Sequence, residues 1–153
     1  MERKRDKLLI KVIAVLLAVV LFTPIHAQAA VPETASPMAS AYLAAYNAYI
    51  CPMGDGELQI WFSVTGTGTQ DYLGALTIQL YESTDNKNWS WVTTYLYEDY
   101  DTMLAQNTYG HMNYVPYDEG VPGRYYKAYV CIWGGPGDSG DARYLWTPVE
   151  ICT

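Results

Sequence analysis

Hydrophobic and polar residues alternate along most of the chain beyond residue 40, which is the pattern of β-strands with one buried face. The alternation is cleanest over residues 57–65 and 125–133. The positions predicted to be buried are Leu58, Ile60, Phe62 and Val64 in the first stretch and Tyr126, Ala128, Val130 and Ile132 in the second. Both stretches are therefore predicted to be strands that pack one face against a core.

Five further strands are predicted from β-branched and aromatic residues between turn-forming sequences such as 66–69 and 134–140. They cover residues 40–51, 75–82, 89–97, 110–115 and 143–152. The first also fits a helix, because its tyrosines recur at helical spacing, but the β-like sequence downstream favours a strand. In the second, the residues predicted to be buried are Leu76, Ile78 and Leu80.

About seven short strands with no long helix predict one all-β domain over residues 40–153. The strand spacing is typical of an immunoglobulin-like or fibronectin type III-like β-sandwich. Tyr126 favours this class, because it enters its strand shortly after Pro122 and Gly123, as the characteristic tyrosine of those sandwiches does. Such a likeness of architecture carries no function by itself.

The first 29 residues have the composition of a secretory signal peptide. A basic segment, residues 1–11, precedes the apolar run 12–22, and small residues precede a cleavage point after Ala29. The apolar run is shorter than the roughly 20 residues that span a bilayer as a helix. We therefore expect a signal helix within 1–29, a flexible leader over 30–39, and release into the extracellular medium without a stable membrane anchor.

Removal of the signal peptide leaves a strongly acidic chain. Residues 1–29 contain five of the nine Lys and Arg residues but only two of the sixteen Asp and Glu residues. The remaining formal charge of about −10 disfavours binding to nucleic acid or to anionic lipid. All 15 tyrosines and all five tryptophans lie beyond residue 29, which excludes a disordered acidic tail.

All three cysteines lie in the predicted exported part, where a disulfide can form. In the predicted sandwich the first and last strands run toward the same end, and Cys51 and Cys152 end those strands. We therefore predict a disulfide between Cys51 and Cys152, which leaves Cys131 as an odd thiol able to link two chains. Three free thiols are the alternative, and the cysteine spacing fits no zinc site.

Candidate catalytic and metal-binding residues lack the partners that such chemistry needs. Residues 137–140 spell the Gly-Asp-Ser-Gly of trypsin-like proteases, but the chain beyond residue 29 has one histidine, His111, and no triad assembles. We interpret His111 as a hydrogen-bonded organiser of its loop. Glu98, Asp99 and Asp101 are interpreted as a solvated acidic loop, with calcium binding as the alternative. No catalytic residue, metal or cofactor is predicted, and the protein is not expected to be an enzyme.

The strongest functional feature is the placement of aromatic residues on outward strand faces. In the predicted sandwich the strands at 75–82, 125–133 and 143–152 share one sheet. The ligand-binding residues predicted on its outward face are Tyr81, Tyr125, Tyr129, Trp133, Tyr144 and Trp146. Strands about 4.8 Å apart bring such rings into one patch, and exposed aromatic patches mark binding sites. The alternative is that the rings only stabilise the sheet through cross-strand pairs.

Six short motifs are spread over residues 40–147. They are Ser40-x-Tyr42-Leu43-x-x-Tyr46, Phe62-Ser63-Val64-x-Gly66-Thr67-Gly68, Tyr81-Glu82-Ser83 with Trp89, Asn107 between Met103 and His111, Gly123-Arg124-Tyr125-Tyr126-Lys127-Ala128, and Gly140-Asp141-x-Arg143. Together they resemble an uncharacterised family of small secreted proteins from Gram-positive, clostridia-like bacteria. The resemblance implies export from a Gram-positive cell and a single β-rich domain. It implies no activity, and the cysteines are not among the matching residues.

The sequence therefore predicts a secreted, non-enzymatic β-sandwich that binds a protein or glycan partner through an aromatic outer face. A self-associating structural extracellular protein, with Cys131 linking two chains, is the first alternative. A small secreted hydrolase is the second.

Overall fold

The computed structural model describes residues 40–153; the predicted signal peptide and leader lie outside the described residues. The described residues form one antiparallel sheet, and the predicted all-β class is confirmed. Its strands are β1 (Leu43–Gly54), β2 (Glu57–Ser83), β3 (Ser90–Leu96), β4 (Leu104–Tyr117), β5 (Tyr125–Gly135), β6 (Asp141–Trp146) and β7 (Glu150–Ile151). Two single-turn 3-10 helices, η1 (Asp101–Met103) and η2 (Gly137–Ser139), lie in the connections. Within residues 40–153, no helix has the length and apolar character needed to cross a membrane.

The 27-residue strand β2 connects the two halves of the sheet. Its first half, residues 57–65, lies between β1 and β4. Its second half, residues 77–82, lies between β3 and β5. Strands β6 and β7 pair with β5 and not with β2. Every strand is therefore attached to β2 directly or through β5.

The turn predicted at 66–69 is wrong, because β2 continues through it. The pairing register between β2 and β4 shifts between Thr65 and Gln70, so the strand passes through an irregularity without reversing its direction. The strand predicted at 143–152 is instead split into β6 and β7. Pro148 lies in the gap, since it has no N–H to donate to a ladder.

Both halves of β2 contribute to one hydrophobic core, so the sheet curls until its halves face each other. The eight residues predicted to be buried in 57–65 and 125–133 are all at most 3 % exposed, which confirms the alternation there. Leu76 was placed in the core by the same alternation, and this is wrong. The β2–β5 register shifts between Ala75 and Thr77, and this bulge buries Ala75 while Leu76 turns outward.

A hydrogen-bonded contact joins the two ends of the strand order β1-β2-β5-β6. Ser40, just before β1, donates from its hydroxyl to the carboxylate of Asp141 at 2.6 Å. The backbone N–H of Ala41 donates to the same oxygen at 2.8 Å. The hydrogen bond from Ser40, assisted by that from Ala41, holds the pKa of Asp141 below its usual value. The sheet is therefore closed on itself by a charge-assisted contact between its first and last long strands.

We expect Asp141→Asn to lower the melting temperature at neutral pH, because a neutral amide is a weaker acceptor for these two donors. A carboxyl group with a lowered pKa contributes its full stabilisation above its ordinary pKa of 3.8. That contribution is lost as the pH falls through the lower pKa of the folded state. Thermal unfolding followed by circular dichroism should show a gap between variant and wild type that is constant near neutrality and narrows in acid. A gap that does not change with pH would contradict this account.

Tyr126 ties the loop before β5 to the second half of β2. Its hydroxyl accepts a hydrogen bond from the Val121 N–H at 3.0 Å and donates one to a Glu82 carboxylate oxygen at 3.1 Å. The other oxygen of Glu82 pairs with Arg124 at 2.7 Å. The ring is completely buried, and burial together with the Glu82 carboxylate raises the pKa of Tyr126 to about 12.

Tyr126→Phe is expected to lower the free energy of unfolding by about 1–3 kcal/mol, because it leaves the Val121 N–H without its acceptor. Tyr125→Phe, on the opposite face of the same strand, is the matched control and should change stability by about 0.5 kcal/mol or less. Urea unfolding of both variants measures the difference. Equal losses in the two variants would show that the buried hydroxyl has no special role.

Candidate functional site

Aromatic side chains on the outward face of β2, β5 and β6 form one contiguous cluster. The prediction that these strands share one sheet is confirmed, and β5 lies between β2 and β6. The ring centroids of Tyr129 and Trp146 are 4.7 Å apart, and Tyr144 lies 5.7 Å from Tyr129. The ring of Tyr81 lies 5.3 Å from that of Trp146. Four of the six predicted binding residues are therefore connected by ring contacts.

A lysine lies within this cluster. The Lys127 ammonium is 4.5 Å from the ring centroid of Trp146 and 4.2 Å from that of Trp89, which precedes β3. Both contacts are cation–π interactions. Lys127 also pairs in register with Tyr81 across β2 and β5. We call Tyr81, Lys127, Tyr129, Tyr144 and Trp146 the aromatic face.

The aromatic face is only partly covered. Tyr144 is 59 % exposed and Trp146 is 48 % exposed. Trp91, also exposed, pairs in register with Tyr81 and extends the apolar surface onto β3. Large apolar side chains that remain in water on a rigid sheet are typical of interaction surfaces.

Tyr125 and Trp133 are not joined to the aromatic face. Within residues 40–153, neither ring contacts another aromatic ring. Tyr125 starts β5 opposite Ser83 and Ile151, and Trp133 lies near the other end of the strand. Alternation along β5 predicts the face on which each side chain lies, but it does not predict which side chains on that face touch each other.

A second group of rings lies on the outward face of the other half of the sheet. Trp61, at the centre, is 6.2 Å from Tyr49 on β1 and 4.7 Å from Tyr114 on β4, measured between ring centroids. Each pair consists of residues directly opposite each other on neighbouring strands. These rings follow the alternative expectation, that aromatic residues stabilise the sheet through cross-strand pairs.

The residues weighed for catalysis are not brought together. Ser139 donates to the Pro136 carbonyl at 3.3 Å, within its own loop. His111 contacts the Thr102 carbonyl through Nε2 at 2.8 Å and packs against Phe62, with ring centroids 5.4 Å apart. His111 therefore makes the hydrogen bond expected of a structural residue, but it lies within strand β4 and not in a loop. In the described part of the chain, no three His, Cys, Asp or Glu side chains are grouped to hold a metal ion.

The predicted disulfide between Cys51 and Cys152 is wrong, and all three cysteines are free. The strand ends do meet, because the Gly56 N–H after β1 donates to the Thr153 carbonyl after β7. The two side chains lie on opposite faces, however. Cys152 is 1 % exposed and belongs to the core, whereas Cys51 follows the core residue Ile50 and points the other way.

Cys131, the thiol expected to link two chains, is 4 % exposed. It lies opposite Tyr144 across β5 and β6. Burial raises the pKa of Cys131, an effect that a side-chain hydrogen bond with Tyr144 opposes. In this structure Cys131 is therefore too buried to link two chains directly.

Comparisons with known proteins give no family. No family model matches the chain, and no curated protein sequence matches it. A solved structure of Spo0M, a sporulation control protein from Bacillus subtilis, aligns with a TM-score of 0.38 and 10 % identity. The alignment covers 68 % of this chain and 49 % of the Spo0M chain, so this chain spans about half of that length. A likeness of this size assigns neither a fold family nor a function.

Titration of the unreduced, denatured protein with a thiol reagent is expected to detect three thiols. In the native protein Cys51 should react first, because Cys131 and Cys152 are buried and burial raises the pKa of both. Cys51→Ser should remove the fast phase alone. Detection of only one reactive thiol in the denatured protein would contradict this expectation, because it would show that the other two cysteines form a disulfide.

Proposed function

We propose that the protein is a secreted, non-enzymatic binding module whose aromatic face docks onto a partner protein. The observation that carries the proposal is the contact of four rings on one outward face, of which Tyr144 and Trp146 are about half exposed. Tyrosine and tryptophan are the residues most enriched at the energetic centres of protein interfaces. A rigid sheet presents them at little cost in conformational entropy.

The arrangement of the rings favours a protein over a glycan at this surface. A sugar stacks on a free ring face. The faces of Trp146 are partly occupied within the protein, because Lys127 lies over the ring and Tyr81 and Tyr129 pack against it. The aromatic face therefore offers a partner a broad apolar surface that contains one cation, Lys127. Such a surface suits a flat protein partner.

The immunoglobulin-like architecture is part of the same proposal. Two features support it: a curled sheet with one core between its halves, and a buried tyrosine that enters its strand from a loop. The hydroxyl of Tyr126 bonds to the backbone of Val121, five residues upstream, as in the tyrosine corner of immunoglobulin-like domains. Secretion rests on the signal-peptide pattern of residues 1–29 alone.

The double variant Tyr144→Ser plus Trp146→Ser tests the aromatic face. Extracellular proteins of the producing cell are captured on immobilised wild-type protein, and each captured protein is purified and titrated by calorimetry. We expect at least one purified partner to bind the double variant about 30-fold or more weakly, as loss of a binding hot spot requires.

The matched control is Tyr109→Ser plus Tyr114→Ser, which removes two exposed rings from β4 in the other half of the sheet. Its affinity for the same partner should stay within about threefold of wild type, as for surface residues outside a hot spot. Equal binding by both double variants would exclude the aromatic face. Light scattering that shows self-association lost only in Tyr144→Ser plus Trp146→Ser would overturn the proposal in favour of a structural protein.

A further inference from the structure

A separate cleft lies on the outer side of the sheet near the end of β5. It has a volume of about 510 Å³, within the range of small-molecule sites. We call it the Trp133 cleft. Its main lining residues are Tyr72, Leu76, Tyr97, Leu104, Trp133 and Asp138. None of them belongs to the aromatic face.

Two irregular features of the backbone shape this cleft. The bulge between Ala75 and Thr77 turns Leu76 out of the core and into the cleft wall. Gly140 leaves room for the indole of Trp133, because a Cβ at residue 140 would lie 2.6 Å from its Cζ2 atom. Because a bulge and a glycine both shape the same concave surface, the cleft is part of the fold and not a chance gap between side chains.

The aromatic residues of the Trp133 cleft differ from those of the aromatic face. In the part of the chain that the structure describes, Tyr72, Tyr97 and Trp133 contact no other aromatic ring. Their rings are therefore not engaged with one another as those of Tyr129 and Trp146 are. Tyr72 and Trp133 are half-buried and Tyr97 is 38 % exposed, and all three line the cleft, so each presents part of its ring to a ligand there.

The polar groups of the cleft are also unused. Among residues 40–153, no protein group hydrogen-bonds to the indole N–H of Trp133, to the hydroxyls of Tyr72 and Tyr97, or to the Asp138 carboxylate, and none of these atoms is buried. The cleft thus combines three potential donors and one strong acceptor with apolar and aromatic walls. A few polar groups on a mainly apolar concave surface are typical of small-ligand sites.

We infer that the Trp133 cleft binds a neutral pyranose unit of a glycan. An aromatic ring stacks on the apolar C–H face of a sugar. Sugar hydroxyls accept from N–H and O–H donors and donate to a carboxylate, so they satisfy Trp133, the two tyrosines and Asp138 together.

Other ligand classes fit this set of groups less well. An organic cation would use the rings and Asp138 but would leave the Trp133 N–H without an acceptor. An anion would be repelled by the Asp138 carboxylate. Asp138 is the one carboxylate among the residues that line the cleft. Since glycoside hydrolysis commonly uses a pair of carboxylates, the cleft is assigned binding and not hydrolysis.

The test is an array of neutral oligosaccharides probed with the purified wild-type protein, followed by calorimetry with the best-bound sugar. Trp133→Ala is expected to weaken binding about 100-fold, since it removes the main stacking surface. Asp138→Asn, on an exposed loop, and Tyr97→Phe, which removes only a hydroxyl, should each weaken it about 5–10-fold. If Trp133→Ala fails to fold, Asp138→Asn and Tyr97→Phe still test whether the polar groups of the cleft contact the sugar.

The control is Trp91→Ala, which removes an exposed indole outside the cleft. Its affinity for the sugar should equal that of wild type, as should the affinity of Tyr144→Ser plus Trp146→Ser. The inference is overturned if no neutral sugar binds, if Asp138→Asn and Tyr97→Phe bind like wild type, or if tetramethylammonium displaces the sugar. Because the cleft and the aromatic face share no residue, either proposal can fail while the other stands.

Discussion

Backbone hydrogen bonding along β2 is the interaction on which the rest of the molecule depends. Four strands pair with β2 directly, and the remaining two are attached through β5. Because β2 runs through both halves of the sheet, its alternating side chains supply core residues to each half. The curl of the sheet, closed where Ser40 bonds to Asp141, brings these two sets of residues into one core.

The alternation of residues was sufficient to predict the faces of the strands, because it depends only on local backbone geometry. It failed where the conformation of a residue depends on pairing with a strand that is distant in the sequence. Residues 66–69 carry the composition of a turn, yet β2 continues there because β4 and β5 pair with the residues that follow. Leu76 left the core for a similar reason: the bulge opposite β5 is a property of two strands together.

The candidate sites follow the same pattern: the sequence predicts which face a side chain occupies, but not which side chains distant in the sequence it contacts. The sequence placed all six aromatic residues outward, but the structure joins only four, because Tyr125 and Trp133 lie toward opposite ends of β5. Lys127 sits between Tyr125 and Tyr129 on the predicted outward positions, and its contact with Trp89 depends on a loop from another part of the chain. For the cysteines, the predicted strand ends do meet, but no disulfide forms because the side chains of Cys51 and Cys152 lie on opposite faces.

The shared strand also limits how the length of this protein can vary. Successive residues of a strand point to opposite faces, so gaining or losing one residue within β2 would invert every side chain that follows it. Ile78 and Leu80 would then face water, while Gln79 and Tyr81 would enter the core. Insertions and deletions in the connections at 84–89 and 118–124 would leave this alternation intact, although each connection also makes contacts of its own, the Trp89–Lys127 contact and the Val121–Tyr126 hydrogen bond. In β2, the core and the outward surface must change together or not at all.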